Sequence, residues 1–452
     1  MKRIFSAFLA FSMISTLLIG VASAAPTVKN GASCAKLNLT NISSNIKFKC
    51  VKAGKKLVWK SLGAVNVKPS PSSSPSVNTT PTPKPIPSIS PSPISTPTPS
   101  PTSTPTPIPS TSGVKTTYIA PLTPVGLNPI TWGNIENRTS ELSSVAWQST
   151  QDTLKANSKS ERSTSIKVIY APLTASSHYA GFENYLRVGI QLWNRFTLPP
   201  NSTFLVYSYD EIPWAKSTII KILTDSGMDQ NQASQIGENL SHAPYGGPDC
   251  GGANAGMISA TQAIGVFALC ARNEGTDPYY DGPLEIHEFT HQMQGAQYIG
   301  SKLNSQQVLP CWISEGLAHA AGLSAGTKTL DGYLQVRRLQ ASHPVLNVAG
   351  GHSATPLESS QITLEFMKNF YEESSPPSCF QLPSYSLGYS VGFLTTEALS
   401  AIGGIESTLL LYSRTAAGET FDEAFKNVYG IEWSRAKDIL ANVLVKEFAA
   451  FG

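Results

Sequence analysis

The chain has 452 residues, a formal net charge of +3, 14% charged residues and 33 prolines. That length accommodates more than one module, and residues 113–452 show no basic stripe of the kind a nucleic-acid partner would require. Beyond residue 24 no segment approaches the roughly 18 unbroken apolar residues of a membrane span, so no transmembrane anchor is expected.

Met1, Lys2 and Arg3 precede an apolar stretch, and Ala22-Ser23-Ala24 before Ala25-Pro26 forms a small-x-small cleavage signal. Residues 1–24 therefore read as a signal peptide, and the protein is expected to be secreted, free outside the cell or held at the cell wall. No Cys follows at a lipidation position. Residues 25–67 form a small module with Cys34, Cys50 and eight lysines but no acidic residue. A segment this short builds little core, so a Cys34–Cys50 disulfide is the expected staple. The stretch from Cys50 to Trp59 resembles short N-terminal modules of secreted proteins from Gram-positive bacteria. Its charge fits an anionic cell-wall polymer, and equally a spacer kept soluble by its lysines. Residues 68–112 are almost entirely Pro, Ser and Thr, without an aromatic residue, and are expected to be a disordered linker.

Residues 113–452 are long enough for one large domain or two coupled subdomains. Ile166–Tyr170, Thr203–Tyr207 and Ile264–Leu269 are rich in β-branched and aromatic residues and predict strands, while Phe182–Phe196 suits an amphipathic helix. Gly252–Gly256 reads as an edge strand or a turn. A helix opens at Asp281-Gly282-Pro283 and carries His287-Glu288-Phe289-Thr290-His291. On a helix, residues i and i+4 share one face, so His287 and His291 can grip one metal ion while Glu288 points to its side. Glu315 follows in Trp312-Ile313-Ser314-Glu315-Gly316-Leu317-Ala318. Later segments read as helices: Tyr389–Ala401, Ile405–Tyr412, one started by the Thr420–Glu423 capping box and ended by Gly430, and Glu432–Phe451.

The pentad and the W-x-x-E-G-x-A pattern together resemble the gluzincin group of zinc metallopeptidases. That resemblance implies one catalytic Zn2+ held by His287, His291 and Glu315, with Glu288 as general base and acid. It also implies an α+β fold, a zincin-like domain with a mixed sheet and metal-site helix followed by a mostly helical C-terminal subdomain. Ser384-Tyr385-Ser386-Leu387-Gly388 resembles a segment of the related aminopeptidases whose Tyr steadies the oxyanion, making Tyr385 the first candidate and Tyr389 the second. His319 stands where related enzymes place an Asp that orients a ligand, so it is a candidate partner of a ligand or of substrate. The aminopeptidase motif G-x-M-E-N has no counterpart: Gly252-Ala253-Asn254-Ala255-Gly256 lacks the Glu, which favours an endopeptidase acting on peptides or proteins. Gln294 and Gln297 exclude the three-histidine extension.

Six cysteines in an exported chain predict three disulfides. With Cys34 and Cys50 paired, Cys250–Cys270 and Cys311–Cys379 are the favoured remainder, because the second ties the Glu315 helix to the Tyr385 segment; a Cys311 nucleophile is the rival reading. Two other function classes fit the same motif. One is an inactive zincin-fold protein that binds a wall polymer or a partner, and the other is a zinc hydrolase of a non-peptide amide or ester. Once Lys2 and Arg3 leave with the signal peptide the net charge falls to about +1, less than the module's lysines supply, so the catalytic domain is net acidic.

Overall fold

A computed structural model describes residues 40–43, 46–53, 56–64, 128–159, 164–174, 181–245, 252–268, 282–348, 354–374 and 381–451. The chain divides into two compact units, Leu17–Pro107 and a larger one holding Ile108–Gly452. In the smaller unit β1 (Thr40–Ser43), β2 (Ile46–Ala53) and β3 (Lys56–Ala64) form an antiparallel sheet in chain order. Trp59 is buried, and Cys50 stands opposite it in register.

The larger unit begins with α1 (Leu142–Asn157), β4 (Ser165–Tyr170), α2 (Phe182–Leu192), β5 (Asn201–Tyr207), α3 (Ile212–Asp225) and α4 (Gln230–His242). The edge pair β6 (Ala253–Met257) and β7 (Ala263–Ala268) follows. The sheet order is β4-β5-β7-β6, with β4, β5 and β7 parallel and β6 antiparallel at the edge. β5 is buried from Ser202 to Tyr207, as a central strand covered on both faces must be. Its period of two divides the core: Phe204 and Val206 join Phe182 and Phe267 on one face, while Leu205 and Tyr207 pack with Ile219 and Leu223 of α3 and Leu240 of α4 on the other.

The first face is closed by α5 (Pro283–Ala296), buried at nearly every position. Pro283 occupies the first helical position, and the Glu285 carboxylate accepts the Gly282 N–H at 3.0 Å. Gln292 accepts from Ser202 Oγ of β5 at 2.5 Å, and a Cβ on Gly295 would come within 2.9 Å of Met257 Cβ, so α5 lies directly on the sheet. Then come α6 (Ser305–Val308), α7 (Cys311–Gly326), α8 (Leu330–Ala341), the β8 (Val345–Leu346) and β9 (Thr355–Pro356) bridge, and α9 (Leu364–Glu373). A 3-10 stretch, Pro383–Tyr389, leads into α10 (Val391–Gly403), α11 (Glu406–Ala416), α12 (Phe421–Tyr429) and α13 (Trp433–Ala449). Among the described residues no helix is long and apolar enough to cross a membrane.

α7 is the hub of this half. A Cβ at Gly316 would meet the Gly392 carbonyl oxygen of α10 at 2.3 Å, and one at Gly322 would meet the Pro283 carbonyl oxygen of α5 at 2.4 Å. Only glycine permits both approaches. Trp312 anchors the start of α7, its ring 5.9 Å from Trp433 and 6.1 Å from Tyr371. Cys311 is disulfide-bonded, which removes it as a nucleophile. Cys34, Cys250, Cys270 and Cys379, and the pairings expected for them, lie outside the described residues.

Behind α7, Arg337 of α8 is buried between Glu397 of α10, at 2.7 Å, and Glu447 of α13, at 2.5 Å, while Tyr333 donates to Glu397. Removing the guanidinium leaves two carboxylates facing each other without a counter-charge. Arg337→Met is therefore expected to cost about 3–5 kcal/mol, read as a lower urea midpoint at neutral pH. An unchanged midpoint would show that the triad does not tie the three helices together.

Candidate metal centre

The pentad's helical spacing has the predicted result: His287 Nε2 and His291 Nε2 lie 3.0 Å apart on one face of α5. The close approach of α7 brings Glu315 Oε2 to 3.4 Å from the first nitrogen and 3.3 Å from the second. All three residues are buried, Glu315 completely. Tetrahedral N and O ligands about 2.0–2.2 Å from a zinc ion stand roughly 3.3–3.5 Å from one another. The observed triangle is close to that size, and the three residues form a group able to hold a metal ion.

The hydrogen bonds around the triangle point the same way. Gln294 Oε1 accepts from His291 Nδ1 at 3.0 Å, and Gln294 is fixed by donating Nε2 to the Ser314 carbonyl at 2.8 Å. His291 therefore carries its proton on Nδ1 and presents the Nε2 lone pair to the triangle. His287 Nδ1 lies 2.9 Å from His319 Nδ1, and His319 is hydrogen-bonded in turn to Gln340 of α8. The structure thus brings His319 into hydrogen-bond contact with His287. Glu315 Oε2 is buried without a hydrogen-bond partner, the state of a ligand atom aimed at an ion.

The electrostatics fit a group that could hold a cation. Burial opposes the Glu315 charge, yet His291 and His287 hold its carboxyl well below the usual range. Burial lowers the His287 imidazole to about 4; for His291 the attraction of Glu315 outweighs burial and raises it to about 9. A single proton between the two imidazoles thus answers one carboxylate, and a bound cation would replace it. Glu288 Oε1 is 4.0 Å from His287 Nε2, and its Oε2 is buried without a partner. Burial pushes the Glu288 carboxyl up to about 8, against the pull of His291 and a hydrogen bond from the Ala255 amide of β6. A cation in the triangle opposes that rise.

Tyr385 is brought to the site, donating to Glu315 Oε1 at 3.1 Å. Tyr389 is half-buried beside the imidazoles, its ring 5.2 Å from His319 and 6.4 Å from His287. A cavity of about 90 Å³ opens next to the triangle, lined by Gly256 and Met257 of β6, His291, Ser314, Tyr385 and Tyr412. Comparison with known protein families, with curated proteins and with solved structures returns no match. The chemistry of the site rests on its own geometry.

His242 and His343 stand apart from the group, and His178 and His352 lie outside the described residues. Sequence reading missed Gln294 and Gln340. The first shares a helical face with His291 at i+3 and was open to the same periodicity argument; the second comes from another helix and leaves no local signal. Competition against a chromogenic chelator, with zinc as probe, should show Glu315→Ala losing the ion and Glu288→Gln retaining it. Gln294→Ala and His319→Ala should each bind about 10–100-fold more weakly. Full affinity in the Glu315→Ala protein would remove Glu315 from the ligand set.

Proposed function

We propose that the protein is a secreted zinc metallopeptidase of the gluzincin type, acting inside peptide chains. The observation that carries the reading is Glu288, a buried carboxylate beside the His287–His291–Glu315 triangle with an oxygen that nothing in the protein occupies. A binding protein has no use for a base there. His287, His291 and Glu315 would hold the zinc ion, which would supply a Lewis acid for a carbonyl and for water near neutral pH. Glu288 takes the proton of the attacking water and returns it to the departing amine nitrogen, with the Ala255 amide steadying its carboxylate before the first transfer and after the second. Tyr385 turns its phenol from Glu315 to the oxygen of the tetrahedral intermediate.

β6 supports a peptide substrate. The bond from Ala268 N–H to the Gly252 carbonyl sets the phase of the β6–β7 ladder, so Ala253, Ala255 and Met257 turn their backbone groups away from β7, the Ala255 N–H being taken by Glu288. An extended peptide can add there as a strand, its scissile bond alongside Glu288. Gly252–Gly256 carries no carboxylate to hold a free amine, which supports action within chains over action from the N-terminus.

Hydrolysis of a diverse peptide mixture by the zinc-loaded protein, beside Glu288→Gln, tests the reading. Cleavage by the parent alone, at internal bonds, is expected; cleavage by neither protein would contradict it and favour a non-peptide substrate or a binding role. Tyr385→Phe separates two duties of that phenol. If it serves the oxyanion, kcat falls about 10²–10³-fold with zinc affinity kept; a loss of zinc affinity without a fall in kcat of the loaded enzyme would limit Tyr385 to holding Glu315.

A further inference from the structure

We propose that one face of the small N-terminal sheet is a docking site for a linear, phosphate-bearing polyanion. In the β2–β3 register Lys49 stands directly opposite Lys60, Val51 opposite Val58, and Ala53 opposite Lys56. The period of two puts these residues on one face, while Leu57 and the buried Trp59 turn to the other. Lys56 and Lys60 are exposed and Lys49 is half-buried.

Two lysines paired across adjacent strands repel each other, with Cβ atoms about 5 Å apart. No acidic side chain of their own unit can relieve this, because all 30 acidic residues of the chain follow residue 135. Lysines on an edge strand serve to discourage sheet-to-sheet pairing, and that would account for Lys56 and Lys60. It does not account for Lys49, which lies on the central strand β2. A polymer with a negative charge on every repeat neutralises the pair and also reaches Lys56, about 14 Å further along the strand at the usual rise. Phosphate suits lysine, which binds it as a point charge. The face offers Lys, Val and Ala with no aromatic ring, so it has no platform on which nucleobases could stack.

The test is binding of the full chain to immobilised linear polyphosphate between 50 and 200 mM salt, with poly(dT) and phosphatidylglycerol vesicles as competitors. The parent should bind, and the Lys49→Gln, Lys56→Gln, Lys60→Gln triple variant should bind at least tenfold more weakly. Its log–log salt slope should be shallower by about two, at roughly 0.7 per phosphate neutralised. Lys52→Gln, exposed on the opposite face, should change affinity far less. Amide hydrogen exchange in peptides spanning residues 46–64 reports whether the sheet survives, and the corresponding triple Lys→Arg variant should keep full binding. Equal binding by the triple Gln variant, or an equal loss in Lys52→Gln, would overturn the assignment. Tighter binding per phosphate to poly(dT), or retention by vesicles alone, would overturn the choice of partner.

Discussion

The contact of α5 with α7 is the constraint on which the rest of the larger unit depends. Gly322 lies against the Pro283 carbonyl, and the resulting closeness puts Glu315 within 3.4 Å of both imidazoles. Two carboxylates and three imidazoles then share one dry interior. Each buried charge costs several kcal/mol unless it is matched, and one proton shared by the two imidazoles at 3.0 Å is what answers the Glu315 carboxylate. Such a cluster could hold a metal ion, whose binding energy would then become part of the folding energy.

The two halves of this unit contribute different things. The sheet side supplies α5, the Ala255 amide that meets Glu288, and the open edge of β6. The helical side supplies Glu315, the phenol of Tyr385, and the His319–Gln340 pair that orients His287. Gly388 of the 3-10 stretch also packs on Glu315, with room for a Cβ only 3.1 Å from its own. The site therefore exists only when both halves are folded together, although its first ligands are close in sequence.

Much of this was legible because it is local. Helical spacing alone puts His287 and His291 on one face, and the β-branched runs at 166–170, 203–207 and 264–269 correspond to β4, β5 and β7. The Thr420 box and Gly430 bound α12 as their capping chemistry requires. Helix α1 buries Ser143, Ser149, Thr150, Thr153 and Asn157, so its apolar periodicity is weak, and α4 buries only the small or apolar Ala233, Gly237 and Leu240 with Ser241. α2 stops at Leu192, short of the expected Phe196, because Trp193 leaves the helix to donate to Thr290 of α5. Whether Gly252–Gly256 was strand or turn depended on pairing with β7, a contact that no local pattern encodes.

The same limit applies within the site. The Tyr385 segment could be found by its resemblance, but its hydrogen bond to Glu315 spans 70 positions and follows from how α7 meets the 3-10 stretch. His319 could be placed on the Glu315 face by its i+4 spacing, whereas its bond to His287 needed the α5–α7 contact. X-ray absorption at the zinc edge of the purified, dialysed protein tests the central claim most directly. The account predicts one ion per chain, bound by two imidazole nitrogens and a carboxylate oxygen at about 2.0–2.2 Å, with the oxygen contribution altered in Glu315→Gln. Failure to retain zinc, or a sulfur shell at about 2.3 Å, would contradict it.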